Sequence, residues 1–256
     1  PSVGVPSVGC NCPVCKSDNI YNKRTRSSAL ISYGGTDLLI DTSPDLRNQF
    51  LFNDIKTVDA VLYTHLHSDH CSGIVELAAL APKNNEHYMP IYGSFTTLAN
   101  LISSYAHFFI KSTPRTPWNQ CHYLTSNLIQ DYIPFKIGNL DIVSFPQVHG
   151  YILSNGFIFN DQIAYCTDVK EFPQRSWSLL KSKNLKILIL GCLMYEENPA
   201  HAHFELCLKW IYELRPKVAI LTHMSHFIEY DDISKKIQKS TNQDIKIIPA
   251  YDGLSF

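Results

Sequence analysis

No stretch of this 256-residue chain approaches the ~20 consecutive apolar residues that a membrane-spanning helix requires, so a soluble protein is expected. Low-complexity tracts are missing, as is any linker that would part the chain into independent domains. Charge of one sign is not in excess, with 22 Lys and Arg against 23 Asp and Glu. The densest basic stretch is only Lys23-Arg24-Thr25-Arg26. A nucleic-acid binder carries a clustered basic face, so the composition favours a small-molecule substrate over a large polyanion. The chain also lacks a Gly-x-Ser-x-Gly elbow and a phosphate-cradling glycine-rich loop, which leaves no serine nucleophile of that kind.

What is present is enough hydrophobic sequence, 45% of residues, to bury one large core, and 1–256 reads as a single domain. The chain starts at Pro1 rather than Met, so the natural N-terminus and the first strand of the domain are expected to have been trimmed. Eight cysteines divide unevenly. Cys71, Cys121, Cys166, Cys192 and Cys207 are scattered through apolar or loop contexts, as reduced residues of a cytoplasmic protein would be. Cys10, Cys12 and Cys15 crowd into six residues and need another explanation.

Strand patterns fall at Ala29–Tyr33 and Asp37–Ile40, around the hairpin signal Gly34-Gly35, and at Ala60–Thr64. They continue at Leu140–Phe145, Gly156–Phe159, Ile163–Cys166, Ile187–Leu190, Val218–Leu221 and Ile245–Pro249. Helical periodicity marks Gly73–Leu80, Ser94–Phe109, Gln174–Lys181, His203–Leu214, which Arg215-Pro216 stops, and Tyr230–Lys239. Such an order predicts α/β layers. The stretch 82–134, rich in Tyr, Phe, His and Pro, reads as an irregular insertion or lid. Its Tyr105, Phe108 and Phe109 form a helix-spaced stripe that fits a core better than a pocket wall.

The densest chemistry is His65-Leu66-His67-Ser68-Asp69-His70, between a strand and the helix beginning near Gly73. Four ligand-type side chains in six residues at such a turn suit zinc, manganese or iron; an all-oxygen set would suit magnesium or calcium. One loop cannot fill two coordination spheres. Further ligand types lie just beyond other strands: His149, Asp168 and His223. Singly, each reads as a cap or core residue; together they are harder to dismiss.

His-x-His-x-Asp-His followed by a His, an Asp and a His at successive strand ends resembles the metallo-β-lactamase superfamily over essentially the whole chain, including Asp41 after the strand Leu38–Ile40. The resemblance implies an αββα four-layer sandwich holding two divalent ions, manganese or zinc. His65, His67 and His149 would take one ion and Asp69, His70 and His223 the other. Asp168 would bridge the pair, and Asp41 would support the loop from behind. Ions ~3.5–4 Å apart can share a water and lower its pKa toward neutrality.

Cys10-Asn11-Cys12-Pro13-Val14-Cys15 offers three thiolates, whereas a structural zinc closes a sphere of four ligands. A disulfide among such neighbours would be strained and leave an odd thiol. With Gly4-Val5-Pro6, Arg26-Ser27-Ser28 and Ile40-Asp41-Thr42-Ser43-Pro44-Asp45-Leu46-Arg47, the cluster is similar to the phosphoribosyl cyclic phosphate phosphodiesterases. That likeness implies a zinc held by the three cysteines and His226, the last His of Thr222-His223-Met224-Ser225-His226. It also implies that His203, at a helix start, protonates the leaving oxygen. The related segment often reads His-Pro-Thr-His, whereas Ala200-His201-Ala202-His203 stands here and leaves the role of His201 open. Ser43 and Asp45 could reach the edge of the site.

The expectation is therefore a phosphodiesterase that opens a small cyclic phosphate ester, of phosphoribosyl or cyclic-nucleotide type, by attack of a metal-bridging hydroxide. Its partners would be that small ester and neither a membrane nor nucleic acid; a homodimer is left open. Alternatives on the same ligand set are a tRNA 3′-processing-type endoribonuclease, a thiolesterase, a lactonase or a β-lactamase, and a metal-binding scaffold. No Gly/Lys-rich arm to grip tRNA is seen.

Overall fold

A computed structural model describes residues 2–77, 80, 88–110, 123–240 and 244–256. The chain packs as two compact units, one formed by residues 26–141 and the other by 1–25 together with 142–256. The initial stretch contributes one helical turn, α1 (Pro13–Lys16), with Cys12 at its N-cap.

Residues 26–141 build a sheet of order β1-β2-β3-β4-β5. β1 (Ala29–Tyr33) and β2 (Thr36–Ile40) form the antiparallel hairpin that the glycine pair predicts. Gly34 and Gly35 both have positive φ, 57° and 83°, which suits the tight hairpin connection. β3 (Ala60–Leu62) lies parallel between β2 and β4 (Tyr88–Gly93) and is buried throughout, as a central parallel strand must be. α2 (Leu46–Phe52), the one-turn helices α3 (Ser68–Cys71) and α4 (Ile74–Leu77), and α5 (Phe95–Ser104) supply the rest of the core. Leu46, Phe50, Ile74, Leu77, Leu98 and Leu101 meet Leu39, Val61, Ile91 and Leu124 in one cluster. Burying each such side chain contributes about 1.5–3 kcal/mol. Tyr105, Phe108 and Phe109 pack against this cluster, so the aromatic stripe serves the core.

The stretch 82–134 departs from expectation. In its described part, β4 and β5 (Tyr123–Leu128) pair in parallel over six residues, and α5 precedes β5. The irregular reading arose because Pro90 and the tyrosines mask the alternation of β4, whose Met89, Ile91 and Gly93 are buried. Residues 82–87 and 111–122 lie outside the described residues. β6 (Pro134–Ile137) closes this part of the chain.

In the other unit the strands run in the order β12-β11-β10-β9-β8-β7. β7 (Leu140–His149) and β8 (Ile152–Phe159) form a hairpin longer than the apolar pattern indicates, paired from Ile142–Phe159 to His149–Ile152 and turned at Gly150. β9 (Ile163–Cys166), β10 (Ile187–Gly191), β11 (Val218–Thr222) and β12 (Lys246–Pro249) are mutually parallel. Parallel neighbours need crossovers. α6 (Gln174–Lys181), α7 (Phe204–Leu214) and α8 (Tyr230–Ser240) provide them. The left-handed Arg215 (φ 49°) ends α7 immediately before Pro216.

Gly73 is the tightest glycine in unit 26–141. A Cβ there would stand 2.0 Å from the Ser43 carbonyl oxygen and 3.0 Å from Leu46 Cβ, while its N–H donates to Thr42. A backbone carbonyl cannot step aside cheaply, so Gly73→Ala should cost about 1–3 kcal/mol. The expected reading is a lower urea midpoint at unchanged m-value; an unaltered midpoint would contradict this packing.

Candidate functional site

The sequence candidates within residues 26–141 gather at the ends of β2 and β3. Asp41 leaves β2 with a left-handed backbone (φ 59°) and is fully buried. Its carboxylate accepts from the Thr64 N–H at 2.8 Å, the Thr64 hydroxyl at 2.8 Å and His70 Nδ1 at 2.7 Å. Because the Thr64 hydroxyl donates to Asp41, it must accept from His65 Nδ1, 2.9 Å away. The hydrogen-bond chain thereby assigns the Nδ1–H tautomer to both His65 and His70 and leaves each Nε2 lone pair for a ligand. His65 Nε2 lies 3.0 Å from His67 Nδ1, and His70 Nε2 lies 3.4 Å from Asp69 Oδ2. Burial pushes the Asp41 carboxyl above the usual carboxylate range; the charge and hydrogen bond of His70 and the bonds from Thr64 oppose it.

The unit formed by residues 1–25 and 142–256 gathers the remaining candidates at its own strand ends. Asp168 (φ 51°), just past β9, and His223 (φ 58°), just past β11, both adopt left-handed backbones. Asp168 Oδ1 stands 3.7 Å from His149 Nε2, 3.4 Å from His223 Nε2 and 3.6 Å from His201 Nδ1. Such spacings are long for strong hydrogen bonds. The His223 spacing falls within, and the other two just beyond, the ~3–3.5 Å that separates donors held at ~2.0–2.2 Å from a common ion. His149 donates Nδ1–H to the Ala200 carbonyl at 2.8 Å, which turns its Nε2 lone pair to the Asp168 side. The backbone behind Asp168 is also held. Ser154 Oγ donates to the Asp168 carbonyl at 2.9 Å, and Gln147 Nε2 reaches both Ser154 Oγ and the Thr167 carbonyl.

His201, whose role the sequence left open, belongs to this group. Its ring stacks on His223 with centroids 5.1 Å apart and meets His149 edge-on at 4.5 Å. Burial pulls its pKa down to about 3; Asp168 resists, while His223 and His149 add to the fall. His203 instead caps α7, its carbonyl accepting from the Cys207 N–H. Its Nδ1 is buried with no hydrogen-bond partner among the described residues.

The cysteine cluster has found its fourth member. Cys10, Cys12 and Cys15 Sγ lie 3.2, 3.7 and 3.5 Å from His226 Nδ1. All four ligand atoms fall within 4.8 Å of one another. Zinc bonds of about 2.3 Å to sulfur and 2.0 Å to nitrogen give tetrahedral edges of roughly 3.5–3.8 Å, so this donor set fits a closed structural zinc. The Cys15 backbone N–H also donates to Cys12 Sγ at 3.4 Å. That bond leads the causes that lower the Cys12 thiol pKa, whereas burial raises that of Cys15.

Sequence reasoning missed Arg24, read only as part of a basic stretch. Its guanidinium is buried, 5% exposed, and donates to the carbonyls of Tyr21, Ser225 and Ile228 and to Asn22 Oδ1. A lone Arg with no periodic neighbours carries no sequence signal of burial.

The chain belongs to the beta-lactamase superfamily, whose domain model matches residues 36–224. Its mixed α/β fold has two sheets and helices, as in the metallo-β-lactamases. A solved structure described as a new diphosphatase from the PhnP family is similar at a TM-score of 0.84 and 28% identity, covering 99% of this chain and 91% of that one. Zinc-bound PqqB from Methylobacterium extorquens is similar in fold, with a TM-score of 0.74 at 16% identity over 98% of this chain and 95% of that one. The octanoyltransferase of Porphyromonas gingivalis is 33% identical over 227 residues, 88% of this chain and 44% of that protein. The chain spans less than half the length of the curated relatives it matches. No helix among the described residues is long and apolar enough to cross a membrane.

Asp41 offers a clean test of the tautomer chain, because Asn tolerates the same left-handed backbone. Asp41→Asn should keep the fold and weaken divalent-metal binding by roughly 10–100-fold, read by chelator competition and elemental analysis. Binding at the unaltered level would remove Asp41 from any supporting role.

Proposed function

We propose that this protein hydrolyses a small phosphate ester, a cyclic phosphodiester of phosphoribosyl or nucleotide type, at a centre of two divalent ions, manganese or zinc. The observation that carries the proposal is the Asp168 carboxylate set 3.4 and 3.7 Å from the Nε2 atoms of His223 and His149. The likeness to a PhnP-family diphosphatase supports the phosphate class. In this reading His65, His67 and His149 would hold one ion, Asp69, His70 and His223 would hold the other, and Asp168 would serve both. Two such ions supply Lewis acidity for a phosphoryl oxygen and a nucleophile at neutral pH.

The side chains have separate tasks. Asp41 fixes the tautomers of His70 directly and of His65 through Thr64. Burial of the His201 ring favours its neutral form. An anionic phosphate beside it favours the charged imidazolium, the form able to protonate a leaving oxygen. We assign proton donation to His201 ahead of His203, because His201 Nδ1 stands 3.6 Å from Asp168 and its ring packs against His223 and His149. General-acid help of this kind is worth ~10²–10⁴-fold in rate. His201→Ala should therefore lower kcat by that range on an alkyl ester and much less on a nitrophenyl ester, whose leaving group needs no proton. The same pattern from His203→Ala, with His201→Ala unaffected, would reverse the assignment.

A second reading, hydrolysis of an acyl thioester, is favoured by the likeness to a protein named octanoyltransferase. Purified protein loaded with manganese or zinc should open cyclic phosphates and cleave bis-nitrophenyl phosphate, and Asp168→Ala should lose both turnover and bound metal. Turnover of octanoyl thioesters with every phosphate ester untouched would replace the phosphate reading. Full activity in Asp168→Ala would end it.

A further inference from the structure

The cysteine centre and His223 share one short segment, and Arg24 holds that segment from outside. His223 and His226 are three residues apart. Between them the Ser225 N–H and hydroxyl both donate to the Leu193 carbonyl, at 2.9 and 2.7 Å. Arg24 takes the other side: Nη1 donates to the Ser225 carbonyl at 3.0 Å and Nη2 to the Ile228 carbonyl at 2.9 Å, so one guanidinium brackets His226. The Arg24 backbone pairs in both directions with Val5, at 2.7 and 2.8 Å. Val5 packs in the small cluster with Val14 and Cys15, against which Cys10 and Cys12 also lie. Asn22, which accepts from Arg24 Nη2 and from the Tyr230 N–H, ties the same strap to the start of α8.

A planar fork that grips both flanks of a ligand residue does what a flexible ammonium cannot. We infer that Arg24 is a positioning residue that joins the two metal centres: it presents His226 to the cysteines and, through the 223–228 segment, sets His223 for the second divalent ion. The inference rests on the proposed role of His223 as a metal ligand. It goes further in stating that filling or emptying the cysteine centre changes the affinity of the other one. A purely structural staple would lower stability and leave that coupling at zero.

The test uses the full chain with zinc and manganese as probes. Metal stoichiometry comes from elemental analysis, affinities from chelator competition, and folding from circular dichroism. Wild type should hold three ions. Arg24→Lys, which keeps the charge and loses the fork, should remain folded and bind the second divalent ion roughly ten-fold more weakly. Cys12→Ser should vacate the cysteine centre and weaken that same ion by a comparable factor. It stands in for Arg24→Lys should the latter fail to fold. A folded Cys12→Ser or Arg24→Lys protein whose histidine-held ions keep their wild-type affinity would overturn the coupling. Failure of the functional reading looks different: wild type would then bind metal only at the cysteines, or bind all three ions and hydrolyse no phosphate ester.

Discussion

Three of the candidate site residues sit just past a buried strand with a left-handed backbone: Asp41 after β2, Asp168 after β9 and His223 after β11. A left-handed backbone costs an L-residue roughly 1–2 kcal/mol, and such strain persists only where the surroundings enforce it. Here they do. Asp41 is fastened by Thr64 and His70, Asp168 by Ser154, and the segment after His223 by Leu193 and Arg24. The sharp exit stops the side chain from following the pleat of its strand, so a ligand can be aimed across the strand end. In the unit formed by residues 1–25 and 142–256, the same device at two strands sets Asp168 Oδ1 3.4 Å from His223 Nε2, although the residues are far apart in sequence.

Hydrogen-bond direction then does the rest of the preparation. One buried carboxylate orders two imidazoles in succession, because a hydroxyl that donates to Asp41 has only its lone pairs left for His65. On the other unit a backbone carbonyl, that of Ala200, does the equivalent service for His149. Neither arrangement requires an ion to be present. The imidazoles are set by the protein before anything binds, which lowers the reorganisation that binding must overcome.

Much of this was legible in the sequence, for physical reasons that can be named. His65–His70 announces itself because four ligand-type side chains share six residues, and the cysteine run does so because three thiols share six. Strand ends were legible where the strands are uniformly apolar, as at Val218–Leu221. The β7–β8 hairpin was under-read because its buried polar residues break the apolar pattern. Asn155 pairs with Ser144, and Gln147 with Ser154, so that polar sequence satisfies itself inside the sheet. His149 consequently lies within a strand and not after it. Arg24 and His201 were opaque because their meaning depends on partners distant in the chain: Ser225 and Ile228 for the one, Asp168 for the other.

The burial of the cysteines has a practical side. Cys166 and Cys207 are fully enclosed, and burial drives their thiols up out of the reactive range; Cys71 is pushed up to about 11. Cys10 and Cys12 are partly accessible, and the Cys12 thiol is shifted the opposite way. A thiolate is the nucleophile in alkylation, and a metal ion that occupies it blocks the reaction. Among the described cysteines, then, an alkylating reagent at neutral pH finds its targets in the first fifteen residues, and the pace of labelling becomes a gauge of how full that centre is.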